Sequence, residues 1–249
     1  KGLSVEDLDS IAVTPNAPLP GDRRFAIARG SAKLDPSDPT WVPKNNFVTL
    51  LRIERLAQLQ TSFDAETGML ALQRRGRTVA KGRITEPTGR TMIDQFLAAF
   101  LKDDVNQTPK LIDAAAVTMT DRQEPFVSVI NLASVRDLKR VAGTPIDPVR
   151  FRGNLLIEGL EPWVERHWIG EEITIGDVGL AIAEPIQRCA ATDVNPETAQ
   201  RDTNLPKLLK RGYGHIEMGV YARVQASGTL RRDERVIPPQ EASTAPRNA

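Results

Sequence analysis

This sequence predicts an α+β fold made mostly of antiparallel β-strands, and three observations predict it. Short apolar runs bounded by Pro, Gly, Asn and Asp recur over the first 84 residues and again after residue 150. Aliphatic side chains must fill the interior, because aromatic residues make up 5% of a chain that is 40% hydrophobic. Helix-period apolar stripes are confined to a few separate segments. The expected architecture is a mostly antiparallel β-barrel domain, a smaller N-terminal β-rich domain and a few peripheral helices.

The elements follow in order. Lys1-Gly2-Leu3-Ser4 reads as the end of a strand or the turn after it. Candidate strands are Phe25–Arg29, Phe47–Ile53, Leu56–Phe63, Met69–Arg74 and Thr78–Ile84, separated by turn residues such as Pro20-Gly21-Asp22 and Thr67-Gly68. Met92, Ile93, Phe96, Leu97, Phe100 and Leu101 then form a helical apolar stripe. Val117–Met119 and Phe126–Ile130 read as strands. A helix is expected from Asn131 to Ala142, with Asn131 or Ser134 as its cap and Gly143 at its end. Arg150-Phe151-Arg152-Gly153-Asn154 reads as a strand entry, which would put Arg150, Arg152 and Asn154 on one face. Further strands are expected at Ile173–Ile175, Val178–Ile182 and Glu217–Val224. A short helix over Asn204–Lys210 carries Pro206 in its first turn. The seam is placed near residue 84. This gives an N-terminal domain over 1–84, a second over 85–236 with a connecting helical segment at about 85–115, and a disordered tail over 237–249 rich in Pro, Ala and Ser.

Composition narrows the function. With 33 basic and 32 acidic residues the net charge is +1, which argues against a dedicated nucleic-acid partner but leaves room for a small anionic ligand. No apolar run is long enough for a membrane span. One cysteine fits a reducing compartment, so the cytoplasm is the expected location. One Cys and two His, His167 and His215, cannot build an iron–sulfur cluster or a structural zinc site in the usual way. Both histidines, Trp163 and Trp168 read as structural.

The single cysteine is the most informative residue. Cys189 sits in Pro185-Ile186-Gln187-Arg188-Cys189-Ala190-Ala191-Thr192-Asp193-Val194-Asn195-Pro196. An unpaired thiol is either a small hydrophobe or a group kept for chemistry. A neighbouring cation favours the thiolate that attacks or ligates. Arg188 supplies one, and Thr192, Asp193 and Asn195 make a polar surrounding.

Together, Arg150-Phe151-Arg152-Gly153-Asn154, Trp168-Ile169-Gly170 with Ile175-Gly176, and the Cys189 block resemble the MOSC domain in content, order and spacing. The first half is similar to the β-barrel domain that precedes MOSC, through Lys1-Gly2 and Gly21-Asp22-Arg23-Arg24-Phe25. The layout is similar to that of the mitochondrial amidoxime-reducing component and its bacterial relatives. Two departures stand out. Gly153 lies where the family usually has Pro, and Ala199 where a turn Gly is common.

The resemblance implies a molybdenum–molybdopterin cofactor with Cys189 as its metal ligand and cations from both halves on the pterin phosphate. Lys1, Arg23, Arg24, Arg152, Asn154, Arg188, Thr192 and Asn195 are the implied cofactor contacts, and Asp193 joins Cys189 as a catalytic candidate. Adjacent arginines at a strand start also read as a solvated edge, which leaves Arg24 open. The implied activity is oxygen-atom removal from N-hydroxylated or N-oxygenated small molecules. Electrons would come from a separate ferredoxin- or flavoprotein-like donor. Two alternatives use the same residues: a persulfide carrier or cofactor-delivery module, and a non-catalytic binding protein with an inert Cys189.

Overall fold

A computed structural model describes residues 6–32, 34, 40–114 and 117–239 of the 249-residue chain. Its strands and helices are β1 (Ser10–Val13), β2 (Phe25–Ala28), β3 (Gln60–Asp64), β4 (Met69–Arg74), β5 (Arg77–Arg83), α1 (Pro87–Phe100), β6 (Lys110–Asp113), β7 (Val127–Asn131) and α2 (Leu132–Ala142). After these come β8 (Leu155–Ile157), β9 (Glu172–Ile175), β10 (Val178–Gln187), α3 (Leu205–Tyr213), β11 (Glu217–Val224), β12 (Gly228–Arg231) and β13 (Val236–Ile237). The α+β expectation holds.

A barrel-like sheet of six strands, in the order β13-β9-β10-β11-β7-β8, dominates the second half. Every pairing in it is antiparallel except β7 with β8. The sheet wraps a core of Val129, Val178, Leu180, Val220 and Ala222, all at 0% exposure, and the β1–β12 ribbon adds Val13 and Leu230. Trp168 is buried in this core, as a packing residue should be. Burying such side chains contributes about 1.5–3 kcal/mol each.

A second core joins β3, β4, β5 and α1. Leu56, Leu59 and Ile93 are fully buried there, with Leu72 and Leu97 beside them. Val194, five positions beyond Cys189, is buried in the same cluster. The cysteine segment is thereby anchored against residues from the first half of the chain.

Local chemistry accounts for the elements that match the reading. Asn131 Oδ1 accepts from the Ala133 N–H at 2.9 Å and caps α2, and Gly143 ends that helix in a left-handed conformation, φ 78°. The Asn204 side chain caps α3 by accepting from the Lys207 N–H. β4 and β5 join through the two-residue turn Arg75-Gly76, with φ of 51° and 72°, which suits the twist of a tight hairpin. An arginine in that position is strained. Arg75→Asn should therefore raise the unfolding free energy by about 0.5–1 kcal/mol, read as a shifted urea midpoint at unchanged slope.

Four expected segments differ. Phe47–Ile53 forms no strand. Phe47 makes one bridge to Ala28, and the chain then turns through hydrogen bonds from Arg52 and Ile53 to the Thr49 carbonyl. Phe47, Val48, Leu50 and Ile53 are buried all the same, so the apolar run reported burial rather than pairing. Leu56–Phe63 splits into a 3₁₀ turn, Glu54–Gln58, and β3. The spacing of three between Leu56 and Leu59 belongs to that turn, not to a period of two. Val117–Met119 is a loop fastened to the Asp22-Arg23 segment: Met119 N–H donates to the Arg23 carbonyl and the Thr118 hydroxyl to the Asp22 carbonyl. Arg150–Asn154 leads into β8 as expected but is not extended. Pro148–Phe151 is a 3₁₀ turn and Arg152 is left-handed at φ 52°.

Ile237 still pairs with Thr174 in β13, and the expected tail from residue 240 onward lies outside the described residues.

Candidate functional site

β10 delivers the cysteine. It pairs with β11 through two register irregularities, one between Ile182 and Glu184 and one between Pro185 and Gln187. Such bulges bend a strand and re-aim its end. The Arg188 N–H closes the ladder on the Ile216 carbonyl, and Cys189 then leads into a 3₁₀ turn, Ala190–Asp193. Cys189 is a free, half-buried thiol on the wall of a cavity of ≈ 160 Å³.

Six of the site candidates line that cavity: Arg23, Arg152, Asn154, Arg188, Cys189 and Thr192. They come from the segment before β2, the turn before β8 and the end of β10. Arg150 lines it as well, so the three residues of the Arg150–Asn154 block meet at one cavity although the backbone is not extended there.

The guanidiniums carry the electrostatics. Arg188 donates from Nε and Nη2 to the Met218 carbonyl and from Nη1 to the Phe151 carbonyl at 2.9 Å. Those partners are neutral dipoles, and burial pushes the Arg188 pKa down to about 10. Arg152 is likewise pushed down to about 10, first by burial and then by the nearby Arg23. Among the described residues no carboxylate pairs with either guanidinium. A half-buried cation without a counter-ion is still partly desolvated, and an anion in the cavity would offset that cost.

Other lining groups add detail. Asn154 Oδ1 accepts from both the Ser128 N–H and the Ser128 hydroxyl, at 2.9 and 2.7 Å. The amide orientation that this implies leaves the Asn154 NH₂ as a donor. Lys44 Nζ lies 3.3 Å from Asp121 Oδ2. Burial lowers the Lys44 pKa, but Asp121 and Cys189 outweigh burial and the net shift is upward. Burial pushes up the Tyr221 phenol at the same cavity.

Several candidates stand elsewhere or act otherwise. Arg24 forms a bidentate ion pair with Asp113 across β2 and β6, at 2.8 Å to each oxygen, and does not line the cavity. Its neighbour Arg23 does line it, from the turn before β2, where its backbone is left-handed at φ 48°. Arg23 itself is paired with Asp22 and donates to the Arg152 carbonyl at 3.0 Å, so it braces the turn that presents Arg152. Asp193 is buried and its carboxylate accepts from the Leu205 N–H at 2.8 Å. It caps the start of α3 instead of facing the cavity, and burial pushes its pKa up. Asn195 spends its side chain on Asp202, at 2.7 Å, and on the N–H groups of Glu197 and Thr198. The Thr192 hydroxyl donates to the Cys189 carbonyl at 2.9 Å, holding the turn. His215 Nδ1 accepts from the Glu217 N–H, the structural bond expected of it. Lys1 lies outside the described residues.

The sequence reading missed Lys44, Ser128, Asp121 and Tyr221, all on the cavity wall. Ser128 had a visible signal: a hydroxyl in the middle of the apolar run Val127-Ser128-Val129-Ile130. Lys44 had none, since nothing local distinguishes it from a surface lysine.

An ion pair braces the cysteine turn. Arg150, whose side chain is 7% exposed, lies 2.8 Å from Asp202 and also donates to the Asp193 carbonyl. Its hydrogen bond holds the Asp202 pKa below the usual carboxylate value. A depressed carboxylate contributes stability above its unfolded pKa of about 4 and loses it as pH falls through the folded value. The urea unfolding midpoint should thus fall below about pH 4. Asp202→Asn should show the lower midpoint already at neutral pH.

Among the described residues, no group of three or more His, Cys, Asp and Glu is placed to hold a metal ion. A metal at Cys189 would therefore have to arrive with its own ligands. Soft thiolate suits a metal already bound by sulfur, and the unpaired guanidiniums suit an anionic carrier of it, so these residues fit such a group.

Comparison with known proteins agrees with the geometry. Residues 117–237 match the MOSC domain model. The chain is 30% identical over 89 residues to mitochondrial amidoxime-reducing component 1 of Homo sapiens, covering 36% of this chain and 26% of that one. It is 29% identical over 103 residues to the molybdenum cofactor sulfurase of Caenorhabditis elegans, covering 40% of this chain and 14% of that one. The chain thus spans about a quarter or less of the length of these relatives. The crystal structure of YiiM from Geobacillus stearothermophilus aligns with a TM-score of 0.36 and 17% identity, over 48% of this chain and 56% of that one, too distant a likeness to build on. Among the described residues no helix is long and apolar enough to cross a membrane.

Proposed function

Given a MOSC domain over residues 117–237, we propose that this chain holds a molybdenum–molybdopterin cofactor on Cys189 and is an oxidoreductase of N-hydroxylated or N-oxygenated small molecules. One observation supports this above the others. A half-buried thiol shares its cavity with two desolvated guanidiniums, Arg152 and Arg188, that lack carboxylate partners. When bound, such a cofactor supplies the two-electron chemistry that removes oxygen from nitrogen.

The chain's own part is to hold and orient. Cys189 supplies the sulfur ligand, and coordination keeps it deprotonated. Arg152 and Arg188 meet the anionic end, and the Asn154 NH₂ offers a neutral donor beside them. Lys44 keeps a cation near the thiolate before the metal arrives. Arg150 and Thr192 keep the cysteine turn rigid from behind, as supporting residues at metal sites do. Electrons would come from a separate ferredoxin- or flavoprotein-like partner.

The test is metal analysis of protein purified from a host that makes the cofactor, paired with reduction of an amidoxime by a chemical reductant. Near-stoichiometric molybdenum with turnover supports the proposal. A sulfane adduct on Cys189 without molybdenum would replace it with the sulfur-carrier reading, which the likeness to a cofactor sulfurase favours. Neither metal nor adduct would leave a binding protein.

A further inference from the structure

A second cavity, of ≈ 620 Å³, lies on the other side of Leu50, Arg150 and Arg152, which line both cavities. Gln58, Arg74, Arg75, Asp147 and Glu197 are on its wall. Arg150 is committed to Asp202, but among the described residues Arg74, Arg75 and Arg152 have no carboxylate partner. Arg74 rests over the Phe100 ring at 5.5 Å. Three buried polar atoms of this wall lack any hydrogen-bond partner: Gln58 Oε1, Arg74 Nε and Arg150 Nε. Buried polar groups are seldom left so, and each one needs an explanation. Arg75 adds a second anomaly, because it occupies a left-handed turn position at φ 51° that Asn or Gly fills at less cost.

We propose that this cavity is a binding site for a phosphate monoester whose organic part carries hydroxyl or amino donors. Forked guanidiniums meet phosphate oxygens in pairs, which accounts for Arg74 and Arg75, two unpaired arginines that line this cavity alone. The free oxygen of Asp147 and the carboxylate of Glu197 take the donors of the organic part. Asp147 already accepts one bond, from the Val149 N–H at 2.8 Å. The strain at Arg75 is then the cost of keeping a guanidinium there. The site does not rest on the reading of Cys189, since the thiol lines only the first cavity.

Adenosine 5′-monophosphate is a suitable probe, titrated calorimetrically into the full chain at fixed ionic strength, with adenosine and inorganic phosphate as separate arms. Saturable binding is expected, weaker by about tenfold or more for either fragment alone. Arg75→Asn should lose at least about tenfold in affinity while unfolding at a higher temperature than the parent, so that misfolding cannot explain the loss. Arg74→Met should lose a similar factor. Cys189→Ser should bind the probe as the parent does. The proposal is overturned if the probe fails to bind at about 10 mM, or if the Arg74 and Arg75 variants bind it unchanged. Loss of binding in Cys189→Ser would also overturn it, by placing the phosphate in the first cavity.

Discussion

Cys189→Ser is expected to leave a folded protein that carries almost no molybdenum. The thiol belongs to no hydrophobic core cluster and is half-buried, so replacing sulfur by oxygen removes little packing. The melting temperature should move by no more than a few degrees, consistent with a change within about 1 kcal/mol. Metal retention should fall far more. Loss of a residue that merely supports a metal ligand already costs 10–100-fold in affinity, and Cys189 is the proposed ligand itself. A hydroxyl neither deprotonates as readily nor matches a soft metal as well. Molybdenum per chain should drop by at least about tenfold, with amidoxime reduction falling in proportion. Retention of stoichiometric molybdenum in the serine variant would sink the assignment of Cys189.

Arg152→Met should separate stability from function. In the folded chain, burial and Arg23 push the Arg152 pKa down to about 10. A base whose folded pKa lies below its unfolded one destabilises the fold at every pH where both states are protonated, which includes neutral pH. The penalty disappears as pH rises from the folded value toward the unfolded one. At 1.36 kcal/mol per unit, the fall to about 10 from the ordinary arginine value corresponds to roughly 3 kcal/mol at pH 7, reduced by the partial exposure of the side chain. Methionine keeps most of the volume without the charge, so the metal-free variant should gain about 1–2 kcal/mol in a urea titration. The same variant should lose cofactor, because the anion would face one desolvated guanidinium instead of two. Molybdenum content should fall by about tenfold or more. A variant that is both less stable and fully loaded with metal would show that Arg152 is a packing residue.

Arg188 provides the contrast. It is desolvated to a similar degree, but its guanidinium satisfies the Met218 and Phe151 carbonyls. Removing it would orphan buried acceptors at about 1–3 kcal/mol each, so its two roles cannot be separated by substitution. The Arg152 guanidinium donates no hydrogen bond among the described residues, and that is why it is the cleaner probe.

Much of this site was legible along the chain. Cys189 announced itself as a lone thiol with an adjacent arginine and a polar run behind it. Asn131 and Gly143 bounded α2, and Met69–Arg74 and Glu217–Val224 were readable as strands, because caps, turns and alternation are local chemistry. The failures share a cause. Phe47–Ile53 and Leu56–Phe63 are apolar because they are buried, and burial does not distinguish a strand from a turn when the run is short. Arg24, Asp193 and Asn195 are polar residues of the right types, yet they were claimed by Asp113, the Leu205 N–H and Asp202. Nothing in a linear chain shows which partner, dozens of residues away, will take a side chain first.

Local order along the chain was enough to establish the α+β class and the capped helices and to single out the one sulfur on which the proposed chemistry rests, since these depend on neighbours a few residues apart. Which cations face that sulfur was settled by folding, through contacts as distant as Arg23 with the Arg152 carbonyl and Arg188 with Met218. The physical reason is that a desolvated charge depends on what surrounds it in space. Only closure of the chain over the cavity could show that Arg152 and Arg188 were left without counter-ions.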